Sequence, residues 1–338
     1  MKAGQSSWIF ENEPVIVSTG VTGGPFEKNG RLAEDFDLLH DDLWMEEQSY
    51  EKAHRLLIEE AVEIALQKAN LPKEQIRFFI AGDLINQLTP TNFAARTFGI
   101  PYFGIFGACS TSMEGLALAA FIINSGGAKY IVTGAASHNA AAERQFRYPT
   151  EYGGQKPPTA QWTATGAGFA VVGENQDKNK TGLKVTSATI GKVVDMGLKD
   201  PFNMGGAMAP AAVDTILTHF KDTGTSYEDY DLIVTGDLGK VGRNSALDLF
   251  YSKDVHIPKE KFQDCGLLLY KDDQPVLAGA SGAASSSIVI YGHLLKQMKN
   301  GRYKKILCVA TGALLSPLTV QQNETIPCIA HAVSIEMK

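Results

Sequence analysis

The residue in this chain best placed to do chemistry is Cys109, in the run 105–115, IFGACSTSMEG. An apolar stretch that reads as a buried strand ends at Gly107, and helix-forming residues begin just after Cys109. A thiol at a helix start faces unpaired backbone N–H groups and the positive end of the helix dipole. Both lower a cysteine pKa and favour a nucleophilic thiolate. Free cysteine is also among the most often buried residues, so an inert, packed thiol is the competing reading. Cys265, Cys308 and Cys328 share no CxxC or metal-like spacing, and read as free thiols of a reducing compartment.

A second group of reactive side chains lies in the segment 137–157, SHNAAAERQFRYPTEYGGQKP, which follows a core strand. It carries His138, Asn139, Arg144, Gln145, Arg147, Tyr148 and Lys156. Arginines hold carboxylates through paired, charge-assisted hydrogen bonds, and a tyrosine such as Tyr148 can stack on an aromatic ring. Arg144 and Arg147 could equally pair with Glu143 or Glu151 and order a subunit interface. Asp83 and Asp237 repeat at equivalent strand ends. Their hard oxygens would suit calcium, or they would cap the helices that follow. The run 205–212, GGAMAPAA, precedes a helix expected at 213–220. It lacks both GxGxxG and P-loop spacing, so it predicts close helix packing or a pocket wall instead of a nucleotide site.

The elements that must position these groups alternate between strands and helices. Ala53, Leu56, Leu57, Ala61, Ile64 and Ala65 recur at three- and four-residue steps and predict a helix over 48–69, stopped by Asn70-Leu71-Pro72. Buried strands are expected at 76–81, 102–106 and 130–133, with helices near 92–98 and 112–125. This alternation predicts a parallel sheet covered on both faces. The second half repeats the first: 231–238 echoes 78–84, 279–285 echoes 107–112, and 304–313 echoes 128–135, in the same order. The polar stretch 174–181, ENQDKNKT, is the natural joint. The chain therefore reads as an internal duplication, with an N-terminal half at 1–173 and a C-terminal half at 183–338 forming one packed unit. Cys109 then falls at the junction of the halves, where clefts form in α/β proteins.

Composition narrows the function. The 338 residues carry 31 Lys+Arg against 37 Asp+Glu, a formal charge of −6. That balance argues against binding nucleic acid, which needs basic surface to displace counterions. Residues 1–10 have no cationic start followed by an apolar core, and no run approaches the ~18 apolar residues of a membrane span. Any work at a membrane is expected to be peripheral.

The duplicated unit with a cysteine at a strand-to-helix turn resembles the thiolase superfamily, which includes the ketoacyl synthases. Residues 165–172, TGAGFAVV, are similar to the GDGAGAVV-type strand of those synthases. The resemblance implies a five-layer αβαβα α/β fold and a homodimer. It also implies catalytic partners for Cys109, and these are missing. Where the synthases place a histidine after the strand 232–235, this chain has Gly236-Asp237. Where they place Asn or His in the turn 279–282, it has Gly-Ala-Ser-Gly. None of the seven histidines lies in either turn, and His256, His293 and His331 read as structural or surface residues. Thiolases use a second cysteine near the C-terminus, but Cys328 sits in a β-like run and not in a glycine-rich loop.

More closely, the runs 106–115, 137–157, 195–212 and 311–317 resemble a family of thiolase-like sporulation proteins of spore-forming bacteria. That resemblance implies a non-catalytic role, the binding of dipicolinic acid for uptake into the developing spore, with calcium as the ligand's chelated ion. It implies no other cofactor. Its expected partners are the stage V sporulation A membrane proteins at the cytoplasmic side of the inner forespore membrane. The expected binding residues are Cys109, His138, Arg144, Gln145, Arg147, Tyr148 and Lys156. The alternative is a Cys109-dependent acyl-transfer or condensing enzyme.

Overall fold

The computed structural model describes residues 1–146, 156–177 and 179–338. The first half of the sheet is built from β1 (Val15–Gly23), β2 (Phe78–Gly82), β3 (Tyr102–Gly104), β4 (Tyr130–Ser137) and β5 (Gly166–Gly173), side by side in the order β1-β5-β4-β2-β3. The second half uses β6 (Leu183–Ile190), β7 (Leu232–Thr235), β8 (Phe262–Asp264), β9 (Lys305–Ala313) and β10 (Cys328–Met337), in the order β6-β10-β9-β7-β8. The strand order and the strand directions are the same in both halves. Among the described residues, the two half-sheets join edge to edge where Lys184 of β6 pairs with Val15 of β1. The polar stretch 174–181 lies between β5 and β6.

The expected parallel sheet is in fact mixed. In each half four strands run in one direction, but the last strand inserts antiparallel between the first and the fourth. A helix count cannot show this, because the return from the fourth strand to the fifth needs no crossover helix.

Helices fill three layers around the two half-sheets. On the outer face of the first half, α1 (Tyr50–Ala69) packs on β1 and β5, with α2 (Thr89–Phe98) beside it. Ser49 caps α1, its hydroxyl accepting from the Lys52 N–H at 3.2 Å, and Asn70 closes it in the left-handed conformation. On the outer face of the second half, α5 (Met204–Thr223) packs on β10 and β9 beside α6 (Gly239–Tyr251). Between the half-sheets lie α3 (Thr111–Asn124) and α7 (Ala283–Ile288), which continues through a π-helical stretch, Val289–Leu294, to Leu295–Lys299. The layers run helix, sheet, helix, sheet, helix.

The continuous apolar runs of the strands follow from this arrangement. Consecutive residues point to opposite faces, and both faces are covered. Ile80, Ile131 and Val172 join the central cluster with Met113 and Leu116, while Phe79, Val132 and Val171 join the outer one with Leu57 and Ile58. Ile306 and Leu307 divide in the same way in the second half.

Two local expectations change. The strand at 102–106 is short and lies at the outer edge of the sheet, with Phe103 49% and Phe106 51% exposed. An apolar run cannot by itself distinguish a central strand from an edge strand. The glycine-rich run 205–212 is not a loop before a helix but the start of α5, capped by Asn203. A Cβ on Gly205 would lie 2.1 Å from the Leu238 carbonyl, and one on Gly242 would lie 2.3 Å from the Gly205 carbonyl. These glycines let α5 and α6 touch backbone to backbone.

Candidate functional site

Cys109 sits in a single 3-10 turn, Ala108–Ser110, that leads into α3 at Thr111. Local side chains fold this turn. Thr111 Oγ1 accepts from the Gly107 N–H at 3.0 Å and donates to the Ala108 carbonyl at 2.7 Å, and Ser110 Oγ donates to the Gly107 carbonyl at 2.6 Å. Ala108 holds a φ of 51°, a left-handed conformation that costs a non-glycine residue about 1–2 kcal/mol. The end of β9 presses against the turn from the second half. A Cβ on Gly312 would lie 2.2 Å from the Gly107 carbonyl oxygen, so only glycine fits there. The thiol is thereby placed at the seam of the two halves.

Cys109 opens onto a cavity of about 230 Å³. Its walls are mainly apolar, with Phe106, Phe146, Phe202 and Leu315 prominent, and its polar groups include Cys109, Thr163, Ser281 and Glu143. Thr163 and Ser281 are neighbours because Trp162–Thr163 pairs in parallel with Ala280–Ser281. Met204, at the start of α5, and Pro317 and Val320, on α8 (Pro317–Gln321), complete the far wall.

Asp237 lies directly behind the thiol, just after β7 and fully buried. Its Oδ1 accepts from the Thr311 hydroxyl at 2.8 Å. Its Oδ2 accepts from the Gly282 N–H at 3.1 Å and the Ser281 hydroxyl at 3.3 Å, and the Cys109 thiol also donates to the carboxyl. Burial pushes the Asp237 carboxyl up to about 7, against these hydrogen bonds and with help from the neighbouring Asp264. Burial likewise raises the Cys109 thiol well above its ordinary value, and the Asp237 carboxyl raises it further. This overturns the expected thiolate. Cys109 lies inside the 3-10 turn that precedes the helix, and the Gly282 N–H and Ser281 hydroxyl do not outweigh burial beside a carboxyl group.

The other expected site residues divide. Lys156 stands at the rim, 3.1 Å from Glu143 and over the Trp162 ring at 5.4 Å. Gln145, on α4 (Asn139–Phe146), is spent on backbone, accepting from the Asn86 N–H at 2.8 Å and donating to the Leu84 carbonyl at 3.0 Å. Arg144 borders a separate depression with Glu51 and Ile85. His138 is buried away from the cavity, hydrogen-bonded to the Leu43 carbonyl at 2.9 Å and stacked towards Tyr50 and His54. Burial holds it neutral, with its pKa lowered to about 4. Arg147 and Tyr148 lie outside the described residues.

Asp83 is a cap: its oxygens accept from the Ile85 and Thr91 N–H groups and the Thr91 hydroxyl at the start of α2. Asp237 does not cap the helix that follows it. Asp264 takes that role, accepting from the N–H groups of Leu238 and Gly239 at 2.8 and 3.0 Å. The oxygens of Asp83 and Asp237 are thus engaged by protein donors, and no group of three or more His, Cys, Asp or Glu residues that could hold a metal ion occurs among the described residues. Sequence reasoning missed Thr163, Ser281, Glu143, Phe202 and Val320 as cavity walls. Phe202 lies within the run 195–212, which was informative as a block and mute about single residues.

The fold and the seam cavity define a thiolase-like α/β protein. The structure is similar to a 3-oxoacyl-[acyl-carrier-protein] synthase III from Aquifex aeolicus, with a TM-score of 0.60 and 18% identity over 96% of this chain and 99% of that one. It is also similar to cerulenin-bound OleA from Xanthomonas campestris, with a TM-score of 0.62 and 16% identity over 97% of each chain. The chain belongs to the Stage V sporulation protein AD (SpoVAD) family, whose sequence model matches residues 4–336. The Stage V sporulation protein AD of Bacillus subtilis (strain 168) is 50% identical over 333 residues, spanning 98% of this chain and 97% of that one. Among the described residues no helix is long and apolar enough to cross a membrane.

Proposed function

We propose that this sporulation protein is a non-catalytic binder whose seam cavity takes dipicolinic acid, as its calcium chelate, for uptake into the developing spore. The observation that carries the non-catalytic part is Asp237 behind Cys109. A condensing enzyme needs a base that draws the proton from its nucleophile and an electrophilic site for the developing oxyanion. Here burial, and after it the neighbouring Asp237 carboxyl, raises the thiol pKa and disfavours the thiolate. The walls suit a flat ring, with three phenylalanines around a small polar floor. A bare dianion buried among such walls meets a large desolvation cost, which a neutral chelate avoids. The expected setting is a homodimer acting with the stage V sporulation A membrane proteins on the cytoplasmic side of the inner forespore membrane.

Calorimetry with dipicolinate, with and without calcium, tests the reading. Saturable binding is expected, and no heat at millimolar ligand in either condition sinks it. One observation favours the condensing-enzyme alternative, namely that Cys109 opens onto the cavity. That alternative requires an acyl adduct on Cys109 after incubation with an acyl-CoA, and our reading expects intact-mass spectra without one.

A further inference from the structure

The floor of the cavity rests on a carboxyl group. Cys109 and Ser281 line the cavity, and Asp237 lies behind both with no exposure of its own. All its donors are neutral: the Thr311 and Ser281 hydroxyls, the Gly282 N–H and the Cys109 thiol. Among the described residues, the titratable groups that face it are Cys109 from the 3-10 turn, Asp264 at the end of β8, Cys265 just after it, and Cys328 at the start of β10. None of them is a cation. Arg243 on α6 faces Asp264, and its N–H groups go to the Phe262 and Lys259 carbonyls. At the rim, Lys156 is paired with Glu143. A negative charge on a ligand and one on Asp237 would therefore oppose each other across a single layer of small side chains, where water cannot screen them.

We propose that an anionic ligand that enters this cavity without a neutralising cation does so together with one proton, which is held on the Asp237 carboxyl. The proposal rests on the reading of the seam cavity as a ligand site. The step is a simple protonation: the Asp237 carboxylate takes one proton from solvent, one O–H bond forms, and no other bond changes. Burial, with its carboxyl already at about 7, places Asp237 where a nearby negative charge draws a proton under mildly alkaline conditions. By linkage, the affinity for an anion must then fall as pH rises above 7, by up to about tenfold per pH unit.

The test is calorimetry of the full chain with calcium-free dipicolinate from pH 6 to pH 9, in pairs of buffers with different ionisation heats. Those pairs give the number of protons taken up per ligand bound. The proposal expects uptake that rises towards one proton by pH 8.5, and an affinity that drops about tenfold per pH unit there. The uncharged diamide of the same ring should bind with no such dependence. Asp237→Asn should abolish both the uptake and the pH dependence. Binding of dipicolinate without proton uptake overturns the proposal, as does uptake that persists in Asp237→Asn. The wild-type measurement decides even if that variant does not fold. Binding of the calcium chelate with none of the free dianion at pH 6 overturns this inference alone. No binding of either form at any pH overturns the ligand-site reading as well.

Discussion

Asp237 occupies the position from which a base would act on Cys109, but it holds no compensating positive charge there. Burial disfavours the thiolate, and the Asp237 carboxyl beside the thiol adds to the same effect. Cys109 is therefore expected to resist alkylation at pH 8. Asp237→Asn removes the acidic partner while keeping an acceptor oxygen, and should speed alkylation of Cys109 by iodoacetamide about tenfold for each unit by which the thiol pKa falls. Peptide mass spectrometry checks this, with buried Cys308 as the internal control. An unchanged rate at Cys109 would show that burial alone silences the thiol.

At the scale of elements, the site depends on contacts between the halves that leave no slack. One is β9 against the Cys109 turn at Gly312. Gly312→Ala forces a Cβ to within 2.2 Å of the Gly107 carbonyl and should cost about 2 kcal/mol, read by urea unfolding, with loss of ligand binding. A second contact ties the helical turn Pro25–Lys28 to the other half. Fully buried Glu27 accepts from the Tyr270 hydroxyl and from the Thr165 N–H, the latter at 3.0 Å, and burial pushes its carboxyl from 4.5 up to about 7. A carboxyl raised on folding contributes stability that is complete below its unfolded value and is lost as pH rises through the folded one. Between pH 4.5 and 7.5 the wild type should therefore lose about 3 kcal/mol relative to Glu27→Gln, which keeps the accepting oxygen but does not titrate. Urea unfolding of both proteins across that range measures the difference, and parallel curves would refute it.

At the scale of the whole molecule, β3 is the feature that calls for a partner. It ends the sheet in a short strand whose Phe103 is 49% exposed, and such an edge invites pairing with another chain. The homodimer proposed above would cover it. Sedimentation should give twice the 36.5 kDa chain mass for the wild type, and a monomer for Phe103→Asp. A wild-type monomer at micromolar concentration would remove the dimer from the reading.

The amino-acid sequence alone carried the architecture. The three echoes between the halves and the apolar runs of β2, β4, β5 and β9 are local properties, and a strand covered on both faces must be continuously apolar wherever it occurs. Four long runs likewise carried the family, because recognition adds up many positions without needing to know what any one of them touches. The end of β1-β5-β4-β2-β3 at an exposed edge, and the antiparallel return of β5 and β10, were not legible, since hydropathy reports burial but neither neighbour nor direction. The site lay beyond reach for a related reason. Cys109 looked activated because its own segment places it near a helix start, while the group that sets its proton, Asp237, arrives from 128 residues away. Whether His138 binds a ligand or merely packs, whether Lys156 is a free cation or Glu143's partner, and which of Asp237 and Asp264 caps α6 are all decided by distances of a few ångströms between segments remote in the chain. Electrostatics and desolvation act through those distances, and only the packed tertiary structure sets them.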